Sequence, residues 1–324
     1  MNRTFGIAAG AGLASALLFA ASAKGAGPAL VIAYVTPLPI MIAALGFGQA
    51  TGLMAAGIAS CAIAGVLGLL PGVFFGILLG FPSWWLAYLV LLARPVIIHA
   101  QGIGPDLSAP MLWYPIGRIV VWGAGLVAAV VLALGSATVV HFGSYVSAVH
   151  ALSSRLATIL GGSPSDGLPI GESAAAIVQL LPSLMAGSAF LMLMVNLWLA
   201  ARVVQRSGLL SRPWPPLPEN LRLPRIAAAC LIGCGLIATA GGATSVASGV
   251  IVAPLSVAFM LQGLGAAHAL TRGLAARRLI LFAIYFITLS VIPSLLALAV
   301  LGVIDCLLPL RQKHRPSTPS PTKT

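Results

Sequence analysis

Negative charge is nearly missing from this sequence. Its 324 residues include five Asp and Glu against 17 Lys and Arg, and charged residues of both signs make up 7% of the chain. Ionisable side chains at membrane depth mark ion paths and proton relays, and only Asp305 and His268 stand inside, or at the end of, a long apolar run. A proton-coupled or sodium-coupled carrier is therefore not expected. The signatures of enzymes are missing as well. There is no HExxH, no GxSxG, no P-loop and no pair of carboxylates within one helical turn, and no serine has a histidine and an acid at matching depth. The expectation is a protein that is not an enzyme. Cysteine is scarce too: Cys61, Cys230, Cys234 and Cys306 all sit in apolar runs, and although Cys230 and Cys234 share a helix face at i, i+4, no His or acid lies near them. They read as packing residues rather than as metal ligands or a redox pair, so neither a metal nor a cofactor is expected.

What is abundant is apolar surface. Hydrophobic residues make up 60% of the chain and the mean hydropathy is +1.07, far from the composition of soluble domains. Several uncharged stretches approach or exceed the ~20 residues that cross a hydrocarbon core about 30 Å thick. They must be helical, because lipid offers backbone groups no other partners and the alternation of a membrane barrel is not visible. The formal net charge of +12 would suit nucleic acid, but the basic residues stand singly or in short clusters at the ends of apolar runs. That is the positive-inside pattern of a multi-pass inner-membrane protein. The expected partner is the lipid bilayer, with anionic lipid at the loop from Arg202 to Arg225, and not nucleic acid. The fold class is all-α: a polytopic helical membrane protein with about 8–10 membrane segments and one amphipathic surface helix.

Residues 1–23 read as an uncleaved first span, the alternative being a signal peptide cut after Ala21-Ser22-Ala23. Further spans are expected over 28–47, 49–70, 72–93, 116–140, 174–201, 226–243 and 246–270. With Arg3 inside, the loops Arg94 to Arg118, Arg202 to Arg225 and Arg272 to Arg278 all fall on the cytoplasmic side. The last apolar stretch, 279–310, would make one helix of about 48 Å, long for one span and short for two. A break at Ile292-Pro293 into two short helices brings both termini to the cytoplasm. Residues 1–310 thus form one integral membrane domain, and 311–324 a disordered basic tail. Between the fifth and sixth spans, Phe142, Tyr145, Val146, Val149, Leu152, Leu156, Ile159 and Leu160 make one helical stripe, predicting a surface helix over 142–161 ended by the Gly161 to Gly167 turn. Arg212-Pro213-Trp214-Pro215-Pro216-Leu217-Pro218 is too rich in proline for a helix and is read as a stiff extended connector, the alternative being a docking strip for a partner.

Small residues recur every fourth position through Gly48, Gly52 and Ala56, through Gly57, Cys61 and Gly65, and through Gly72, Gly76 and Gly80. Such ladders let helix backbones approach closely, within the chain or against a partner. Trp84, Trp85 and Tyr88 follow Pro82 at membrane depth and are candidate walls of a ligand cavity, with core or lipid packing as the plainer reading. Asp305 is expected to pair with Arg311 or with an arginine of the 272–278 loop.

Three short stretches, Leu221-Arg222-Leu223-Pro224-Arg225, Gln262-Gly263-Leu264 and Leu301-Gly302-Val303-Ile304-Asp305, together resemble the YybS-like family of uncharacterised bacterial membrane proteins. Tyr34 with Pro37-Leu38-Pro39, and the glycine ladder from Gly46 to Gly68, resemble the N-terminal half of that family. The family looks related to the substrate-binding S-components of energy-coupling-factor transporters. The resemblance implies a membrane-embedded binder of a small molecule that needs a separate transporter ATPase and coupling subunit; it carries over no ligand-contact residue by position, and Gln262 joins Trp84, Trp85 and Tyr88 as a candidate ligand-binding residue. After Asp305 the chain departs from the family pattern, with Cys306-Leu307-Leu308-Pro309 in place of aromatic and acidic residues. The alternative function is a structural or regulatory scaffold that carries no substrate and gathers partners through its cytoplasmic loop.

Overall fold

A computed structural model describes residues 2–22, 29–95, 111–159, 170–290, 293–308 and 310–312. Ala23, the Gly161 to Gly167 turn, Leu160, Ile292 and the tail beyond Gln312 lie outside the described residues. The described chain is helical almost throughout, as an apolar chain that must satisfy its own backbone requires. The helices are α1 (Asn2–Ser22), α2 (Ala29–Val35), α3 (Leu38–Phe47), α4 (Gln49–Leu67), α5 (Leu69–Phe75), α6 (Phe81–Leu91), α7 (Ile116–Phe142), α8 (Tyr145–Ile159), α9 (Ile170–Arg206), α10 (Leu217–Asn220), α11 (Arg225–Ile237), α12 (Gly242–Leu270), α13 (Arg277–Ser290) and α14 (Pro293–Leu307). Among the described residues, six segments are long and apolar enough to cross a membrane: Arg3–Ser22, Gln49–Leu67, Leu69–Leu91, Ile116–Phe142, Ser173–Arg206 and Gly242–Leu270. Shorter apolar helices include Pro293–Leu307, and within 279–310 the described residues are α13 up to Ser290 and α14 from Pro293, while Val291 and Ile292, where the break was expected, lie outside the described residues. One departure from all-helical structure is a two-stranded antiparallel pair, Ala93–Pro95 with Met111–Trp113, at the base of the loop before α7.

The expected span over 28–47 is two helices, because Pro37 and Pro39 cannot donate to the ladder. The break at Thr36-Pro37 frees carbonyls inside the protein, and neighbours supply donors: Ser15 Oγ donates to Thr36 O at 2.9 Å and Asn196 Nδ2 to Tyr34 O at 2.6 Å. Pro82 is accommodated differently, by a π-helical turn over Gly76–Gly80 that joins α5 to α6, the wider turn that helices adopt at such irregularities. The expected surface helix starts three residues late, since Gly143, at φ +80, ends α7. α8 then packs against α9 and α7, burying Ala148 and Ala157 while Val146 and Ile159 stay exposed.

Two apolar cores result. The larger is built on α9 and α12, with Phe190 and Leu193 meeting Phe259, Leu86 and Ile119. The smaller joins α1, α3 and α4 around Ile40, Ala55, Ala59 and Phe75. The glycine ladders divide between uses. Gly52 lies against Ala44, Gly72 against Ser60 and Ala64, Gly76 against Ser60 and Gly80 against Ala56, which are close helix approaches. Gly48 and Gly68, at φ +97 and +104, are instead the joints between helices, conformations that side chains with a Cβ avoid. Gly57 and Gly65 meet nothing within 4 Å.

Candidate functional site

The part of the molecule with the densest polar chemistry is where α12 and α14 cross beneath the segment Leu221–Pro224. Gly263 and Gly302 face each other at this crossing, so close that a Cβ on Gly263 would collide with the carbonyl of Leu298, and one on Gly302 with that of Phe259. Side chains flanking the crossing then reach the same backbone. Gln262 Nε2 donates to Asp305 Oδ2 at 2.8 Å, while the amide N–H of Leu223 donates to Gln262 Oε1 at 2.8 Å. Cys306 Sγ lies 3.3 Å from Leu223 O. On α7, Gly117 abuts the carbonyl of Arg222 with no room for a Cβ.

Arg311 closes the arrangement. Its Nε and Nη2 form a fork on the Asp305 carboxylate at 3.0 and 2.5 Å. Nη1 donates to Pro218 O at 2.6 Å, and Nη2 also to Leu221 O at 3.0 Å. The Arg311 and Asp305 side chains are 4% and 2% exposed, so the pair is fully enclosed. Removing one partner of such a pair strands a charge. The physical reason for the cluster lies in the segment it holds: 221–224 is neither helix nor strand, and backbone buried without a ladder needs side-chain partners. Arg311, Gln262 and Cys306 are those partners.

Beside this clamp lies a cavity of about 580 Å³, walled by α7, α9, α12 and α13 and roofed by Trp214, Pro215, Pro216, Leu217 and Pro218. The volume is within the ~300–1,000 Å³ of small-molecule sites. Its walls are mainly apolar, and its polar members are Arg202, Trp198, Trp214, His268 and Tyr285. His268 Nδ1 is 2.9 Å from Leu264 O, a carbonyl that can only accept, so Nδ1 is the donor of that bond. Nε2 lies 3.3 Å from the Tyr285 hydroxyl. The proline segment is pinned at both ends. Arg311 holds Pro218 as described, and buried Arg212 donates to Val90 O at 3.2 Å with its guanidinium 5.9 Å from the Trp113 ring centre. Burial pushes the Arg212 guanidinium below its ordinary pKa, because desolvation disfavours the charged form. Glu219, in the short α10, pairs with Arg272.

The candidate residues read from sequence fall in different places. Trp84, Trp85 and Tyr88 come together, but with one another and with Phe81 and Trp122: Trp85 stacks on Phe81 at 6.0 Å and meets Trp122 edge-on at 5.9 Å. Trp84 Nε1 donates to Gln49 O at 3.0 Å. None of the three is among the walls of the 580 Å³ cavity, to which α6 contributes Val90. Gln262 is fully buried with both ends of its amide engaged in the clamp. Asp305 and Arg311 pair with each other, and Arg272 of the 272–278 loop is held by Glu219. The cavity itself escaped sequence reading, although Trp214 and His268 were each conspicuous singly.

The clamp unites the three stretches Leu221–Arg225, Gln262–Leu264 and Leu301–Asp305, and the comparison with known families bears on the same residues. A family model described as "Predicted membrane protein (DUF2232)" matches residues 13–306. The chain belongs to that family. The match takes in all three stretches and both helices of the crossing, and ends five residues before Arg311. No curated protein and no solved structure matches the chain.

Proposed function

We propose that this member of the family is a non-catalytic, small-molecule-binding protein of the bacterial inner membrane, with both termini cytoplasmic, and that it works as the binding component of a transporter whose ATPase and coupling subunits are separate chains. The observation that carries the reading is the cavity beneath the proline segment: of small-molecule size, mainly apolar, and covered by a strap held at both ends by buried arginines. The resemblance to YybS-like proteins and to S-components supplies the expected partners. The strap's placement weighs against the scaffold alternative, since Trp214 and Pro215 to Pro218 line the chain's own cavity. Binding would act by population shift, a ligand favouring the strap-closed state over an open one.

Native mass spectrometry of the protein extracted in mild detergent tests this. One small molecule per chain is expected on the wild type, and it should be lost from Leu264→Trp, which places an indole inside the cavity wall. Identical masses on both proteins would end the cavity reading. Ligand without any co-retained ATPase would keep the binder and remove the transporter.

A further inference from the structure

The balance of hydrogen-bonding groups around the cavity narrows what it holds. This inference rests on the cavity being a binding site, as proposed above. Three of the roof's carbonyls, those of Pro216, Leu217 and Pro218, are already engaged. Pro216 O takes the amides of Glu219 and Asn220, and Leu217 O takes that of Leu221. Pro218 O and Leu221 O take Arg311, and on the wall Leu264 O takes His268. His268 and Tyr285 satisfy each other. No Asp or Glu is among the described wall residues, and the acid nearest in sequence to the roof, Glu219, is paired with Arg272.

The donors are less well served. Arg202, at the cavity's exposed edge, has Gln205 Oε1 at 3.4 Å and the Trp198 ring at 5.8 Å, and neither is an anion. The indole N–H of Trp214 is enclosed without an acceptor. A cation would find no counter-charge among the described wall residues, and a ligand rich in donors would find the carbonyls of Pro216, Leu217, Pro218 and Leu264 taken. An apolar body with an acceptor-bearing, negatively charged end fits both halves of the site: Ile119, Val120, Met194, Leu197 and Leu261 for the body, Arg202 for the head. We propose that the occupant is a single-chain amphiphile with a carboxylate head, the chain lying under the proline strap and the head against Arg202.

The test uses the full-length protein in phosphatidylcholine nanodiscs at pH 8.5, with two probes of equal length, 11-bromoundecanoic acid and 11-bromoundecanol, whose bromine quenches tryptophan fluorescence. Saturable quenching by the acid is expected, with affinity about tenfold above that of the alcohol, and Trp214→Phe should remove part of the quenched signal. Arg202→Gln should bring the acid down to the alcohol, while Arg206→Gln, a change four residues along α9 at a side chain outside the cavity walls, should leave the preference intact. Equal affinities for acid and alcohol in the wild type, or a preference erased equally by Arg206→Gln, would overturn the carboxylate assignment and leave the cavity standing. Saturable quenching by neither probe, or quenching that Trp214→Phe does not diminish, would overturn both.

Discussion

Asp305→Ala is expected to destabilise the protein by about 3–5 kcal/mol, the cost of leaving a buried guanidinium without its counter-charge. The Arg311 side chain is 4% exposed, and with the carboxylate gone its Nε keeps no partner. Gln262 Nε2 loses its acceptor in the same step. Asp305→Asn keeps the shape and one acceptor and should cost less. The informative variant is the double change Asp305→Leu with Arg311→Met. It removes both charges, and replacing a buried pair with apolar groups is often close to neutral. Here it also strips Pro218 O and Leu221 O of their donor, so it should recover only part of the loss. Thermal unfolding of the purified protein in one detergent, with all variants side by side, measures this. A double variant no better than Asp305→Ala would mean that the carbonyl bonds outweigh the ion pair in holding the segment. An Asp305→Ala protein as stable as wild type would remove the clamp from any account of the fold.

The second large effect is expected from adding a single methyl group. Gly302→Ala and Gly263→Ala each put a Cβ into a backbone carbonyl of the facing helix, and backbone cannot rotate away as a side-chain end can. The helices must separate, which costs about 1–3 kcal/mol by the experience of overpacked cores. Separation also pulls Gln262 and Asp305 apart, because each is near its glycine on the same helix. Loss of stability should therefore be accompanied by faster proteolysis between Leu209 and Leu221, the segment that Arg311 pins. Gly233→Ala and Gly235→Ala, in the neighbouring α11 with open space around them, are the matched controls and should be nearly silent. If the two pairs of variants behave alike, close approach is not what these glycines provide.

Much of this fold was legible because lipid simplifies the problem. Long uncharged runs dictate helices, and the basic residues at their ends dictate loops, so α4, α7 and α12 stand near their expected bounds. Reading fell short where proline met a neighbour that could compensate. Nothing local to Tyr34-Val35-Thr36-Pro37 announces that Asn196, 162 positions later, supplies the donor its broken helix needs. The site was legible in pieces only. Asp305 and Arg311 are six residues apart, within reach of a local argument, and the stretches around Leu223, Gln262 and Gly302 stood out separately. Their convergence depends on the crossing of α12 and α14, which no periodicity encodes. Trp84, Trp85 and Tyr88 drew attention as aromatics at depth, yet an aromatic cluster that stacks on itself looks the same in sequence as one that lines a cavity.

The clamp also has a consequence for how the molecule is made. Pro218 and Arg311 are 93 positions apart, and a ribosome reaches the arginine only after α11 to α14 have been translated. Until then Asp305 has no counter-charge, the carbonyls of Pro218 and Leu221 lack their donor, and the strap over the cavity is tethered at one end. Maturation of the roof is thus timed by translation of the last helix, and a nascent chain released a few codons early would be nearly full length yet open, recognisable to membrane proteases by an unfastened loop rather than by any missing span.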